Sequence, residues 1–158
     1  MTRLHETVET ALPIEPAFAF IADFANNPAW DPGTATARRL DSGPVGVGST
    51  YELDVRMGGR TMPMTYRITV HEPDQRVELR GVGSSVQARD DIRFARTAGG
   101  GTRVDYVADI ELTGWMRLLT PFVGGALRRI GERARDGMQR ALDDRVDAAA
   151  TPPTADVR

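Results

Sequence analysis

In the stretch from Val86 to Arg96 the residues alternate, so that Val86, Ala88, Asp90, Ile92 and Phe94 share one face of a strand while Gln87, Arg89, Asp91 and Arg93 share the other. Asp90 is the residue of chemical interest. An ionised carboxylate on the apolar face without partners is very costly, so Asp90 needs a partner, a water or a proton. The functional reading is a polar handle on a ligand, or a catalytic acid/base group with a raised pKa. Two structural readings stand beside it: a β-bulge that turns the side chain outward, or pairing with an arginine such as Arg38. Tyr66 and Tyr106 fall on inward positions and could donate hydrogen bonds to a ligand oxygen, as an enolate or ketone requires. Tyrosines at such positions are more often core rings whose hydroxyls reach the surface.

Other chemistries find little support. His5 and His71 are far apart and have no partner at ligand spacing, so no metal or other cofactor is expected. The chain has no cysteine, which removes thiolate chemistry, and no placed nucleophile and base suggest a hydrolytic triad. Gly58-Gly59 and Gly99 to Gly101 each join two strands and open no helix, so they read as hairpin turns rather than phosphate loops.

The elements that position these residues follow from periodicity. Tyr51, Leu53, Val55 and Met57 alternate with Glu52, Asp54 and Arg56, and after Gly58-Gly59 the return strand places Met62, Met64, Tyr66, Ile68 and Val70 on the same face. Glu72 to Gln75 turn the chain, Val77 and Leu79 continue the inner face, and a final strand alternates Val104, Tyr106, Ala108, Ile110 and Leu112 against charged neighbours. Further strands are expected at 4–12 and 34–41, and a short helix at 15–24 with Pro16 in its first turn. Trp30 follows as an apolar anchor. Beyond Gly114 the period becomes helical, with Leu119, Phe122, Val123, Ala126, Ile130, Ala134, Met138 and Leu142 forming a stripe. Thr120-Pro121 reads as a cap followed by a first-turn proline, or as a kink. The helix is expected to end near Val146, giving one domain over 1–147 and a disordered tail over 148–158.

A concave sheet closed by one helix leaves more space than side chains readily fill. The residues expected around that cavity are Trp30, Tyr51, Leu53, Val55, Met57, Met62, Met64 and Tyr66, with Ala88, Asp90, Tyr106 and Ala108 from the later strands. Phe122, Ala126, Ile130 and Ala134 would close it from the helix. Each could equally be plain core packing, and the methionines suit either a dry core or a surface that adapts to a ligand.

With 20 basic residues, all arginine, against 22 acidic ones, the net charge of -2 gives no electrostatic footprint for nucleic acid. The arginines are scattered among acids, which fits a compositional bias better than a phosphate-binding purpose. No apolar run approaches the roughly 20 residues that span a bilayer, so no stable membrane insertion is expected. The charged N-terminus lacks the apolar core of a secretory signal, and a cytoplasmic location is expected. Whether the protein is a monomer or a dimer is left open.

Several stretches carry a resemblance. Residues Pro16 to Asp23 with Asn27 to Pro32, then Gly43 to Ser49, then Arg93-Phe94 leading through Gly100 to Val104 and ending at Gly114-Trp115, are similar in order and spacing to the START-like (SRPBCC) superfamily. Within it they resemble the polyketide cyclase/dehydrase-like branch, over residues 3 to 146. The resemblance implies an α+β helix-grip fold, in which a curved antiparallel sheet of six to seven strands wraps a long C-terminal helix, with two short helices after the first strand. It also implies a cavity for a hydrophobic small molecule. Members include lipid carriers and aromatase/cyclases, so three functions stand open: binding or transport of a lipid or polyketide-like ligand, a cyclase/dehydrase-type enzyme, or a protein-interaction module on the arginine-rich helix face or a sheet edge.

Overall fold

The computed structural model describes residues 1–150. Seven strands, β1 (Thr2–Thr10), β2 (Thr34–Arg39), β3 (Thr50–Met57), β4 (Arg60–Glu72), β5 (Arg76–Gly83), β6 (Val86–Arg96) and β7 (Thr102–Leu112), form one antiparallel sheet in the order β1-β7-β6-β5-β4-β3-β2. Between β1 and β2 lie helix α1 (Ile14–Ala22), a 3-10 turn (Phe24–Asn26) and the short helix α2 (Asn27–Trp30); a second 3-10 turn (Gly114–Leu119) leads into helix α3 (Thr120–Ala150). This is the helix-grip architecture. The expected strand, hairpin and helix order is observed.

Local chemistry explains the turns. Gly58 and Gly59 both take positive φ, 54° and 82°, the conformation that a tight hairpin demands and that residues with a Cβ rarely adopt. From β2 to β7 consecutive strands pair as a meander, and β7 pairs with β1, the strand against which α3 packs.

The two sheet faces differ in chemistry. On the convex face, arginines and carboxylates interleave across four strands: Arg3 grips Asp109 at 2.7 and 2.9 Å, Arg89 reaches Glu78 at 2.7 Å, and Arg76 reaches Asp91 at 2.8 Å. These guanidinium forks, aided by their own stems, bury Glu78, Asp91 and Asp109. Many of the arginines therefore have a structural purpose that composition did not reveal. The concave face is apolar and its filling is uneven. Toward α1, Phe18 meets Phe94 edge-on at 5.0 Å, and Phe24 meets Trp30 and Tyr66 at 6.0 and 5.5 Å.

Helix α3 differs from expectation in three respects. It continues through Ala150, past the expected end at 146, while the rest of the proposed tail lies outside the described residues. Of the two readings of Thr120-Pro121 the cap is not observed: the Thr120 hydroxyl donates to the Arg117 carbonyl at 2.8 Å, and the helix grows directly out of the 3-10 turn. The stripe that meets the sheet is Leu127, Gly131, Ala134, Met138 and Leu142, with Val123 partly buried above it. Phe122 and Ala126, expected to close the cavity, point to solvent instead.

Gly137 fixes how closely α3 can approach α2. A Cβ there would collide with the Trp30 carbonyl and stand 3.1 Å from Pro32 Cδ. Gly137→Ala is expected to cost about 1–3 kcal/mol through overpacking, lowering the melting temperature by about 2–4 °C per kcal/mol. A thermal melt of the variant that coincides with the wild type would contradict this contact.

Candidate functional site

Away from α1, the filling of the concave face thins. On β5, Gly81 and Gly83 leave room for neighbouring side chains to lie across the strand: a Cβ at Gly81 would stand 2.5 Å from the Tyr66 ring, and one at Gly83 would stand 3.1 Å from Met64 Cγ. The result is a slot of ≈ 80 Å³ between the β3–β4 hairpin end of the sheet and α3, walled by Val55, Met57, Met64, Tyr66, Val86, Ala88, Ile110, Leu127 and Ile130. Asp31, Gly33 and Arg56 complete its lining.

The slot is open on one side. Surface hollows of ≈ 110 Å³ and ≈ 330 Å³ share Arg56 and Ile130 with it, and the larger is bounded by Gly58, Gly59, Ala126, Arg129 and Arg133. The interior thus communicates with solvent between the β3–β4 hairpin and α3. At ≈ 80 Å³ the slot is well below the roughly 300 Å³ at which ligand pockets begin. The deep cavity implied by the resemblance is therefore a narrow slot in this conformation. Its wall is adaptable, because Met57 and Met64 have three rotatable bonds each and can vacate space without moving the backbone.

At the inner end stands a polar group. Asp90 is 4% exposed and faces the concave side. The pairing of β6 with both β5 and β7 runs without a register shift, so no bulge turns it outward. Arg38 pairs with Glu52 at 3.2 Å and offers Asp90 nothing. Among the described residues, the one hydrogen bond to the carboxylate comes from the Tyr106 hydroxyl, at 2.8 Å to Oδ1. Burial dominates, and together with the field of Asp31 it raises the Asp90 pKa to about 7 against the opposing hydrogen bond. Asp31 accepts from the Gly33 N–H at 2.7 Å, and its own pKa is raised by burial. The phenols of Tyr66 and Tyr106 are driven well above their usual range, first by burial and then by the neighbouring carboxylates.

Near neutrality, therefore, Asp90 is poised between acid and base, while both phenols remain hydrogen-bond donors. On β6, Asp90 is one same-face step deeper than Ala88, so it lies behind the slot wall rather than in it.

Of the residues expected around a cavity, the structure brings Val55, Met57, Met64, Tyr66, Ala88 and Ile130 to the slot. Tyr51, Leu53, Ala108 and Ala134 are buried in the surrounding core. Met62 packs on the margin of the core and lies near Gly83. Trp30 is 1% exposed and packs edge-on against Tyr106 at 6.1 Å. Its Nε1 and the Tyr51 hydroxyl have no hydrogen-bond partner within the described residues. His5 lies 3.7 Å from Asp105 and His71 packs against Phe18; no cluster of three metal-ligating side chains occurs among the described residues. Sequence reasoning left six of the slot residues out of the expected cavity: Val86 and Ile110, read as inward but not placed there; Arg56, read as outward; Asp31 and Gly33, in a turn where periodicity says nothing; and Leu127, one position from the expected stripe.

Comparison with known proteins gives a consistent result. The family described as polyketide cyclase/dehydrase and lipid transport matches residues 1–144. The fold is similar to the ZhuI aromatase/cyclase from Streptomyces sp. R1128, with a TM-score of 0.75 and 16% identity over 96% of this chain and 97% of that one. It is also similar to a START superfamily protein from Mycobacterium smegmatis, with a TM-score of 0.72 and 16% identity over 95% of this chain and all (100%) of that one. The di-domain aromatase/cyclase BexL of the BE-7585A biosynthetic pathway is matched over 96% of this chain and 48% of its own, at 14% identity and a TM-score of 0.67. No curated protein matches the sequence.

Because Asp90 binds a proton more tightly when folded than when unfolded, the folded state holds more protons between about pH 4 and the raised value of about 7. The sign follows: this group makes stability fall as pH rises through that window. Asp90→Asn, which keeps an acceptor for Tyr106, is expected to raise the melting temperature at pH 8 and to lose that advantage toward pH 5. Parallel wild-type and variant curves over this range would mean that Asp90 is an ordinary ionised carboxylate.

Proposed function

The chain belongs to the polyketide cyclase/dehydrase and lipid transport family, and from that premise we propose that it takes a hydrophobic small molecule, a lipid or polyketide-like chain, into the slot between the sheet and α3. The observation that carries this reading is the wall itself: valine, methionine, alanine, isoleucine and leucine side chains line a space that opens outward and backs onto polar groups. Such a site offers an acyl or polyketide chain apolar contact along its length, at roughly 25 cal/mol per Å² removed from water. A terminal oxygen could then reach the hydroxyl of Tyr66, which donates to Met64 Sδ over 4.0 Å. Entry requires Met57 and Met64 to swing aside, so affinity carries the cost of that rearrangement.

A second reading, cyclase/dehydrase-type catalysis, is favoured by the Asp90–Tyr106 pair. In its ionised form Asp90 can take a proton from a carbon flanked by carbonyls; the carboxyl so formed can donate to the Tyr106 oxygen, which frees the phenol O–H for the enolate oxygen that results. The apolar wall would hold the flexible chain in the folded shape that such a reaction needs.

Ala88→Phe plugs the slot from β6 and is expected to weaken binding of a fluorescent fatty-acid probe by about tenfold or more, with little change in the fold. Native mass spectrometry of the freshly purified wild type is expected to show a bound apolar compound. Absence of both the compound and probe binding would overturn the binding reading. Turnover of a model poly-β-ketone that is lost in Asp90→Asn while probe binding persists would put catalysis first.

A further inference from the structure

Trp115, Leu118 and Phe122 are 71%, 79% and 82% exposed, with Leu119 at 37% beside them. They occupy the 3-10 turn Gly114–Leu119 and the first turn of α3. The core does not need them, since Val123 and Leu127 close the sheet from this part of the helix. Four large apolar side chains exposed within eight consecutive residues form a projecting patch, which on a soluble surface marks an interaction site.

Along the chain between Glu111 and Glu132 the charge is of one sign. Residues 112–131 contain no aspartate or glutamate and three arginines, Arg117, Arg128 and Arg129. None of these three guanidiniums has an ion pair or hydrogen bond among the described residues, whereas the arginines of the convex sheet face are gripped by carboxylates.

We propose that this patch docks the protein onto an anionic lipid surface. The residue types suit that partner: tryptophan favours the headgroup boundary, leucine and phenylalanine enter the acyl region, and the flanking arginines meet anionic headgroups. A second copy of the chain suits it less, because a two-fold contact would bring both sets of arginines together. The patch also projects rather than forming the pockets in which protein partners anchor their aromatic residues.

Its position gives the docking a purpose. Phe122, Ala126, Arg129 and Arg133 follow one face of α3, at spacings of three and four residues. The last three of these bound the mouth of the slot, opposite Gly58 and Gly59. A protein seated on lipid through Trp115 and Phe122 therefore holds that mouth near the membrane surface, where an apolar molecule can enter with little exposure to water. The docking itself stands on the patch and not on the ligand reading, so it is tested without any ligand.

The experiment is co-sedimentation of the full chain with vesicles of phosphatidylcholine alone and of phosphatidylcholine mixed with phosphatidylglycerol. Partition onto the phosphatidylglycerol vesicles is expected, stronger at low salt. The double variant Trp115→Ser with Phe122→Ser is expected to lower it by about tenfold or more. Arg128→Gln with Arg129→Gln is expected to lower it by about fivefold per charge and to flatten the salt dependence. Both pairs are exposed, so thermal melts matching the wild type establish that folding is unaffected. Brominated lipid is expected to quench Trp115 and to spare Trp30, which is 1% exposed. Failure to bind anionic vesicles at low salt would overturn the proposal, as would equal binding by the Trp115/Phe122 variant. A wild-type dimer that this variant converts to monomer would assign the patch to self-association instead.

Discussion

A single helix cannot fill the hollow of a seven-stranded arched sheet along its whole length, and this constraint governs the molecule. Beneath the end nearer α1, the space is taken by Phe18, Phe24, Trp30 and Phe94, whose rings pack edge to face. Beneath the end nearer the β3–β4 hairpin, the sheet offers Gly81, Gly83 and Ala88 where bulk would be needed, and methionines where it would be rigid. The filled end supplies stability. The thin end supplies the slot and its opening.

The same division sets the electrostatics. On the convex face, carboxylates are held ionised by guanidinium forks, and the pKa values of Glu78, Asp91 and Asp109 are lowered accordingly. Asp90, on the opposite face of the same strand as Asp91, has a phenol for a partner and no cation among the described residues, so burial governs and its pKa moves the other way. Adjacent aspartates on one strand thus behave as different chemical groups. The pleat, which sends successive side chains to opposite faces, is sufficient cause.

That pleat is also why so much was legible in the sequence. Period-two alternation identified the hairpins, put Met64 and Tyr66 inward and placed Asp90 on the concave face, because a strand admits only two orientations. The helix was less legible. The expected stripe placed Val123, Ile130, Ala134, Met138 and Leu142 correctly but took in Phe122 and Ala126 and passed over Leu127, because neighbouring rows of the helix recur at the same three- and four-residue spacing. The distinguishing signal was Gly131, which sits in the Leu127 row where Leu4 crosses close, 3.3 Å from where a Cβ would stand. Asp31 lay in a turn without periodicity, and its nearness to Asp90 is a product of the tertiary fold. The volume of the slot was not legible at all, since it depends on how far Met57, Met64 and Tyr66 extend across the hollow.

The central claim is that the thin end of the interior, and not the filled end, admits an apolar guest. Methyl-labelled methionine reports on both: Met57 and Met64 line the slot, and Met138 lies in the core on α3. Titration with a saturated twelve-carbon fatty acid, followed by methyl NMR, is expected to shift the Met57 and Met64 resonances and give them cross-relaxation with the acyl chain, leaving Met138 unmoved. Saturating ligand that leaves Met57 and Met64 unshifted, or that contacts Met138 alone, would contradict the account.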